Sequence, residues 1–467
     1  MNACVLLLPM FAFTAFPGET ELFTGFLVPA TTSAFFGFVI WKIFRPRAYA
    51  TLNVQEGGVI VLFSWLGIFG FSALPFMMID HLTFSQAIFE SVSGWTTTGL
   101  SVIDVTTTPR CILLFRSIIQ LFGGAGLAVI MLASLTEPAG AGHSIAEGRG
   151  EQLVPHVKES AKLVMMIYSG YAVAGIIGYL LAGMPSFDAV NHTFAAISTG
   201  GFSTRPDSIG AWDSLSIESV TIVLMILGNL NFLTAYLLLQ GKLRSVLRNG
   251  EIHVLGILIP IGVVLLFFKV SGVLYASLGK AVRVAIFETV TSLTTTGFST
   301  VGYGDWNAIG FLVIITFMVI GGGTCSTAGG IKQFRIHLLF KSLWLEIRSY
   351  FLPRNTVHTP YTWQGETKEF IYDKKVREVA VFVFLYCMTL IIGTVIVAYH
   401  GYSFRDSLFE FASALGTVGL SVGVTTPDAP LGVLWAEIIG MFLGRLEFFV
   451  IIVSVAKVIR DLFYRGY

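Results

Sequence analysis

Ten apolar runs recur along the 467-residue chain, at roughly 3–17, 22–41, 57–79, 117–135, 163–184, 219–239, 254–278, 308–340, 379–399 and 431–455. Most match the ~20 helical residues needed to cross a bilayer core about 30 Å thick. In lipid every backbone N–H and C=O must find its partner within the protein, so only helices or closed barrels span. Unbroken apolar runs of this length, without strand-like alternation, specify helices. The expected fold class is therefore an all-α polytopic membrane protein. Only 12% of residues are charged and mean hydropathy is +0.78, whereas an ordinary soluble domain carries about 25% charge.

Ten runs place both termini on one side, and positive charge marks that side as cytoplasmic. Lys42, Arg45 and Arg47 follow the second run, Arg149, Lys158 and Lys162 the fourth, and Lys242, Arg244 and Arg248 the sixth. Nine more lie between Lys332 and Arg377, and Lys457, Arg460 and Arg465 end the chain, making 21 of the 29 basic residues. The first run has no Lys or Arg before Lys42, so it lacks the basic start of a secretory signal. Net charge is only +1, which gives no general field for nucleic acid. Cys4, Cys111, Cys325 and Cys387 have neither metal-ligand nor redox spacing, and read as small apolar side chains.

Between the spans, four stretches align without gaps: FESVSGWTTTGLS (89–101), NHTFAAISTGGFS (191–203), FETVTSLTTTGFS (287–299) and FEFASALGTVGLS (409–421). Each is too short to cross and ends in Gly-(Leu/Phe)-Ser. Each has a polar residue nine positions before its glycine: Glu90 before Gly99, His192 before Gly201, Glu288 before Gly297 and Glu410 before Gly419. Four such matches in one chain are an internal repeat. They read as re-entrant half-helices with loops, because irregular backbone at membrane depth must be buried or line a watery cavity. The expected architecture is four membrane–pore–membrane repeats around one pseudo-fourfold pore, plus two N-terminal helices. The divisions fall at 1–48, 49–140, 141–248, 249–350 and 351–467.

A half-helix running inward points its negative C-terminal end at the membrane centre, and four such ends favour a cation there. Glycine permits the angles that turn carbonyls toward the axis, where they replace the ion's hydration water. The expected filter is Thr98–Gly99, Gly200–Gly201, Thr296–Gly297 and Val418–Gly419, with threonine hydroxyls in support. The three glutamates either brace the loops by accepting backbone N–H bonds or are outer-surface residues. The string TVGYGD (300–305) contains the potassium-channel filter signature. It begins after the aligned Gly-Phe-Ser, however, so it is expected in the outer vestibule, beside the filter rather than in it. With one clear filter glycine per loop, fewer well-defined ion sites are expected than in a tetrameric potassium channel, and looser selectivity over Na⁺.

The eighth run is interrupted by GGGTCSTAGGIKQFR (321–335). Glycine is a poor helix former, so the helix should break near mid-membrane. No Gly-Lys-(Ser/Thr) follows, which excludes a Walker-type reading. The stretch Gly321, Gly322, Gly323, Thr324, Cys325, Ser326, Thr327, Ala328, Gly329 and Gly330 is read as a mobile loop below the filter. The alternative is a kink for close packing. Arg445 lies mid-span, where a lone charge costs about 2.5–3.5 kcal/mol. It should face the pore, raising the barrier to cations, or pair with an acid such as Glu447.

These repeats resemble the Trk/Ktr/HKT superfamily of potassium transporters, and within it the TrkH/TrkG-type membrane subunits, over essentially the whole chain. EGGVIVLFSWLGIFGFSALPF (56–76) also resembles a TrkH-type first helix, and the first two runs resemble the N-terminal pair of that type. The resemblance implies that 321–330 with Arg445 is the gate, and that four filter glycines favour K⁺. It implies a homodimer docked on cytosolic TrkA-like nucleotide-binding regulatory subunits, in the bacterial cytoplasmic (inner) membrane. The chain has no Gly-x-Gly-x-x-Gly unit after a strand, so nucleotide sensing falls to that partner. The expected function is a potassium-translocating membrane subunit of a bacterial K⁺ uptake system, in contact with membrane lipid. K⁺ is the only expected ion, at the filter, and no organic cofactor is expected. The alternative is a K⁺ symporter coupled to H⁺ or Na⁺. No Ser–His pair, facing aspartates or histidine cluster marks a membrane enzyme.

Overall fold

The computed structural model describes residues 1–43, 54–126, 157–351, 361–364 and 367–463. Three of the expected division points (48/49, 140/141 and 350/351) fall outside these residues or at their edge, as do Arg45, Arg47, Arg149 and residues 127–135 of the fourth expected span.

The elements are almost all helical. They are α1 (Asn2–Ala15), α2 (Thr24–Ile43), α3 (Val54–Ile79), α4 (Phe84–Trp95) and α5 (Arg110–Ala125). Next come α6 (Val157–Leu181), α7 (Ser186–Ile197), α8 (Leu215–Asn229), α9 (Phe232–Leu239) and α10 (Leu243–Arg248). Then follow α11 (Gly250–Leu266), α12 (Leu278–Leu293), α13 (Ala308–Ile320) and α14 (Gln333–Ser349). A hairpin of β1 (Tyr361–Gln364) and β2 (Thr367–Phe370) leads to α15 (Asp373–Tyr399), α16 (Phe404–Leu415), α17 (Leu431–Leu446) and α18 (Phe448–Phe463). By length and composition five described helices can cross a membrane, or seven if two bent pairs each count as one span.

Two expected spans need correction. The run 219–239 is not one helix, because α8 and α9 meet at 115°. Leu230 is extended there, and the Asn231 side chain caps α9 by accepting from Leu233 N at 2.8 Å. The run 431–455 is likewise broken, because α17 and α18 meet at 101° around Glu447, whose φ is +62°. The expected break in the eighth run is present, with 321–332 non-helical between α13 and α14. The β-hairpin carries no sequence signal strong enough to have been expected.

The half-helices α4, α7, α12 and α16 organise the core. Each packs against the two helices of its own unit and against the second helix of the preceding one. Thus α4 meets α17, α7 meets α5, α12 meets α8 and α16 meets α13, which closes the circle. Their inner faces are fully enclosed, with Trp95, Ile197, Leu293 and Leu415 each at 0% exposure. Long helices carry exposed apolar side chains outward, such as Phe36 and Phe38 on α2 and Ile391 and Val395 on α15. That is the pattern of a bundle whose solvent is lipid.

Candidate functional site

All four half-helices end in the same way. Thr98, Gly200, Thr296 and Val418 donate their N–H groups five residues back, to Ser93, Ala195, Thr291 and Ser413 carbonyls, at 2.8–3.0 Å. The residue before each is left-handed: Thr97 at φ +56°, Thr199 at +50°, Thr295 at +52° and Thr417 at +49°. This is a Schellman ending, normally built on glycine. A β-branched residue there is a backbone outlier, repeated four times in one chain. The sequence reading did not single out these threonines. The signal was present, since each stands two residues before the repeated glycine of its loop.

The glycines follow with φ of +96° at Gly99, +72° at Gly201, +82° at Gly297 and +95° at Gly419. They form a ring. A Cβ on Gly99 would run into the Gly200 carbonyl, on Gly201 into Thr296 O, on Gly297 into Val418 O and on Gly419 into Thr98 O, each well under 3.0 Å. The four expected loops therefore meet residue for residue around one centre. Gln120, which the sequence reading also missed, holds the second loop: its Nε2 donates to Gly200 O at 2.5 Å and its Oε1 accepts from Phe202 N at 3.2 Å.

Behind the ring, the four polar residues nine positions upstream are fully buried, which removes the outer-surface alternative. Glu90 accepts from Ser101 Oγ at 2.7 Å and Val102 N at 2.6 Å. Glu288 accepts from Thr300 N at 2.9 Å and Tyr303 Oη at 2.5 Å. Glu410 accepts from Ser421 Oγ at 2.6 Å, Val422 N at 3.0 Å and Thr425 N at 3.0 Å. At the second position His192 Nδ1 donates to Asp188 O at 2.8 Å, which leaves Nε2 to accept from Ser203 Oγ at 2.9 Å. Each brace ties the ascending loop to its half-helix.

Glu90 has a further partner, Arg116 Nε at 3.2 Å, with both side chains buried. Breaking a buried pair by removing one charge strands the other, at about 3–5 kcal/mol. Glu90→Gln is therefore expected to lower the melting temperature in detergent clearly more than Glu288→Gln, whose partners are neutral.

Thr300, Val301, Gly302 and Tyr303 of TVGYGD line the cavity above the ring, a space of about 620 Å³ that Gly99, Gly201, Gly297 and Gly419 also line. Gly302 has nothing within 4 Å of a built Cβ and no positive φ. Tyr303 turns away from the axis to brace Glu288.

The loop 321–332 lies on the opposite side of the ring, under the threonines. Thr199 Oγ1 donates to Thr327 Oγ1 at 3.1 Å, and Gly329 N donates to Thr295 Oγ1 at 2.7 Å. A Cβ on Gly329 would collide with Gly416 O and Thr417 Oγ1. The loop is held from the side by the α8–α9 break and α11: Gly323 N donates to Asn229 Oδ1 at 3.2 Å and Thr324 N to Glu251 Oε1 at 2.7 Å. Phe232 N donates to Cys325 O at 3.3 Å. Asn229 and Glu251 were not foreseen; nothing near them in sequence points to the loop.

Arg445 donates to Thr327 O at 2.7 Å, to Gly124 O at 3.4 Å and to Gly123 O. Glu447 pairs instead with Arg335, at 2.7 Å. The guanidinium thus ties the interrupting loop to the end of α5. It lines the cavity below together with Thr324, Cys325 and Ser326.

The sequence matches the TrkH family, described as cation transport protein, over residues 31–464. The chain belongs to that family. It is 31% identical to the Trk system potassium uptake protein TrkG of Escherichia coli, covering 96% of this chain and 93% of that protein. It is 30% identical to the uncharacterized cation transporter MJ1485 of Methanocaldococcus jannaschii, covering 93% and 88%. Its fold matches the crystal structure of the potassium transporter TrkH from Vibrio parahaemolyticus with a TM-score of 0.82, at 26% identity over 97% of this chain and 96% of that one. The chain is a polytopic α-helical membrane protein of a cation-transporting family.

Proposed function

We propose that the chain is the potassium-translocating membrane subunit of a bacterial uptake system. The ion passes through the ring of Thr98–Gly99, Gly200–Gly201, Thr296–Gly297 and Val418–Gly419, and residues 321–330 with Arg445 gate it. The observation that carries this reading is the closed ring of glycines, each against the next loop's carbonyl. Carbonyls fixed in that way replace hydration water at little reorganisation cost. Four half-helix C-termini add negative potential.

The loop below supports the gating role. It sits against the threonines of three half-helices, and its glycines make it easy to bend. Arg445 places a positive charge beside it, which opposes cation passage while the loop is in place. Relatives named as Trk system potassium uptake proteins support K⁺ as the ion. In this reading the chain forms four pore repeats after an N-terminal helix pair, sits in the inner membrane with both termini cytoplasmic, pairs as a dimer and docks TrkA-like regulatory subunits.

The test is ⁸⁶Rb⁺ uptake into proteoliposomes containing the purified chain, with Na⁺, H⁺ and membrane potential varied separately. Uptake should follow the electrical gradient alone. Uptake that demands a proton or sodium gradient would replace the channel-like reading by coupled transport.

A further inference from the structure

Besides the brace position, the four helix sets differ at a second buried position behind the loops. The second helices begin from N-caps at Pro109, Ser214, Asn307 and Pro430. The seventh residue beyond each cap is Arg116, Thr221, Ile314 and Glu437, and exposure there is 2% for Arg116 and 0% for the other three. In the first unit this position supplies the cation that neutralises the brace Glu90. In the fourth unit it supplies a second acid.

Glu437 and the brace Glu410 share Thr425. Thr425 N donates to Glu410 Oε1 at 3.0 Å, while its hydroxyl donates to Glu437 Oε2 at 3.0 Å. Glu410 accepts from the Val422 and Thr425 backbone N–H groups and from the Ser421 hydroxyl, the contacts a carboxylate makes. Glu437 Oε1 is buried with no hydrogen-bond partner among the described residues.

Other titratable groups on the elements around α17 are few. They are Arg445 at the far end of α17, bound to backbone carbonyls, Glu90 on α4, held by Arg116, the Arg405–Asp406 pair at the start of α16, and Tyr386, Cys387, Tyr399, His400 and the charged start of α15 (373–378). Asp428 lies in the preceding loop, Arg335 is paired with Glu447, and Lys457, Arg460 and Asp461 lie on α18. Of all these, Glu410 is the one joined to Glu437 through a shared hydrogen-bond partner, Thr425. Two carboxylates at this depth with no cation between them cannot both stay ionised.

We propose that Glu410, Thr425 and Glu437 form a proton-binding site behind the fourth loop, exchanging with the cavity above the ring through Ser421. Ser421 lines that cavity and donates to Glu410, so a proton has a short route from water to the pair. With the proton bound, Glu410 keeps its three anchoring bonds and the fourth loop holds its shape. When the proton leaves at alkaline pH, like charges face each other across Thr425. The anchor of Val422 and Thr425 then loosens, and with it the carbonyl of Val418. The effect on conduction rests on the reading of the ring as the ion path; the proton site itself does not.

Two measurements on the full chain separate these. Infrared difference spectra between mildly acidic and alkaline pH should show a protonated carboxyl in the wild type that is missing in Glu437→Gln. Identical spectra would overturn the site. In proteoliposomes, the K⁺/Na⁺ permeability ratio of the wild type should fall about tenfold as pH rises on the Ser421 side, while Glu437→Gln stays within about twofold. A variant that keeps the wild-type pH dependence would overturn the coupling to the loop. If neither protein selects K⁺ at any pH while the spectra still differ, the proton site stands and the ion-path reading falls. Should Glu437→Gln not fold, Glu437→Arg removes the same carboxyl by recreating the Arg116–Glu90 arrangement.

Discussion

Gly297→Ala is expected to abolish discrimination between K⁺ and Na⁺, and Gly302→Ala, five residues away, to leave it intact. Gly297 sits at φ +82°, and its Cα faces the Val418 carbonyl of the next loop so closely that a Cβ has no room. An alanine there meets both a left-handed backbone cost of about 1–2 kcal/mol and a carbonyl that must move. The carbonyl that moves is itself a ring member, so the damage passes to the fourth loop. A fall of about tenfold or more in the K⁺/Na⁺ ratio corresponds to only ~1.4 kcal/mol, well within that cost. Gly302 has open space around it. The check is the reversal potential or the ⁸⁶Rb⁺/²²Na⁺ uptake ratio in proteoliposomes. Equal effects at both positions would put the filter in the wrong register, and a loss confined to Gly302→Ala would make TVGYG the filter after all.

Arg445→Ala is expected to raise K⁺ flux by about tenfold or more. Arg445 holds the interrupting loop through Thr327 O and also grips the end of α5. A hydrogen bond to a charged group is worth about 1.5–3 kcal/mol, so losing one shifts a closed–open balance by at least about tenfold. Removing the charge also lowers the electrostatic barrier. Arg445→Lys should fall between, because an ammonium keeps the charge but lacks the planar fork that spans two strands of backbone. Flux that drops in Arg445→Ala while the protein remains folded and monodisperse would assign the arginine to architecture alone.

How much of this was legible beforehand depends on what each residue answers to. The half-helices were visible because their glycines and braces obey local rules that recur four times, and a pattern that repeats within one chain needs no alignment. Glu90 and Glu410 were assigned as possible braces from spacing alone, and their buried acceptor geometry is what the structure adds. The left-handed threonines escaped because Thr is the wrong residue type for that conformation, and only the surrounding packing imposes it. Asn229, Glu251 and Gln120 escaped because their partners lie far away in sequence, and long-range contacts leave no periodic trace. The bends at Leu230 and Glu447 were read through as continuous spans because hydropathy does not register a change of direction. The kinship of Arg116 and Glu437 emerges only when the four second helices are aligned from their caps.

The interrupting loop has a consequence for how such a pore can arise. It follows α13 and rests on Thr295 beside it, yet it also rests on Thr199 of the second half-helix and on Gly416 O and Thr417 Oγ1 of the fourth, and is held by Arg445 on α17. A ring of four identical chains would present four copies of that loop to a space that one already fills. If the loop is the gate proposed above, a closing device of this kind suits a single chain whose quarters are unlike, so that one quarter carries the bolt and its neighbours the sockets.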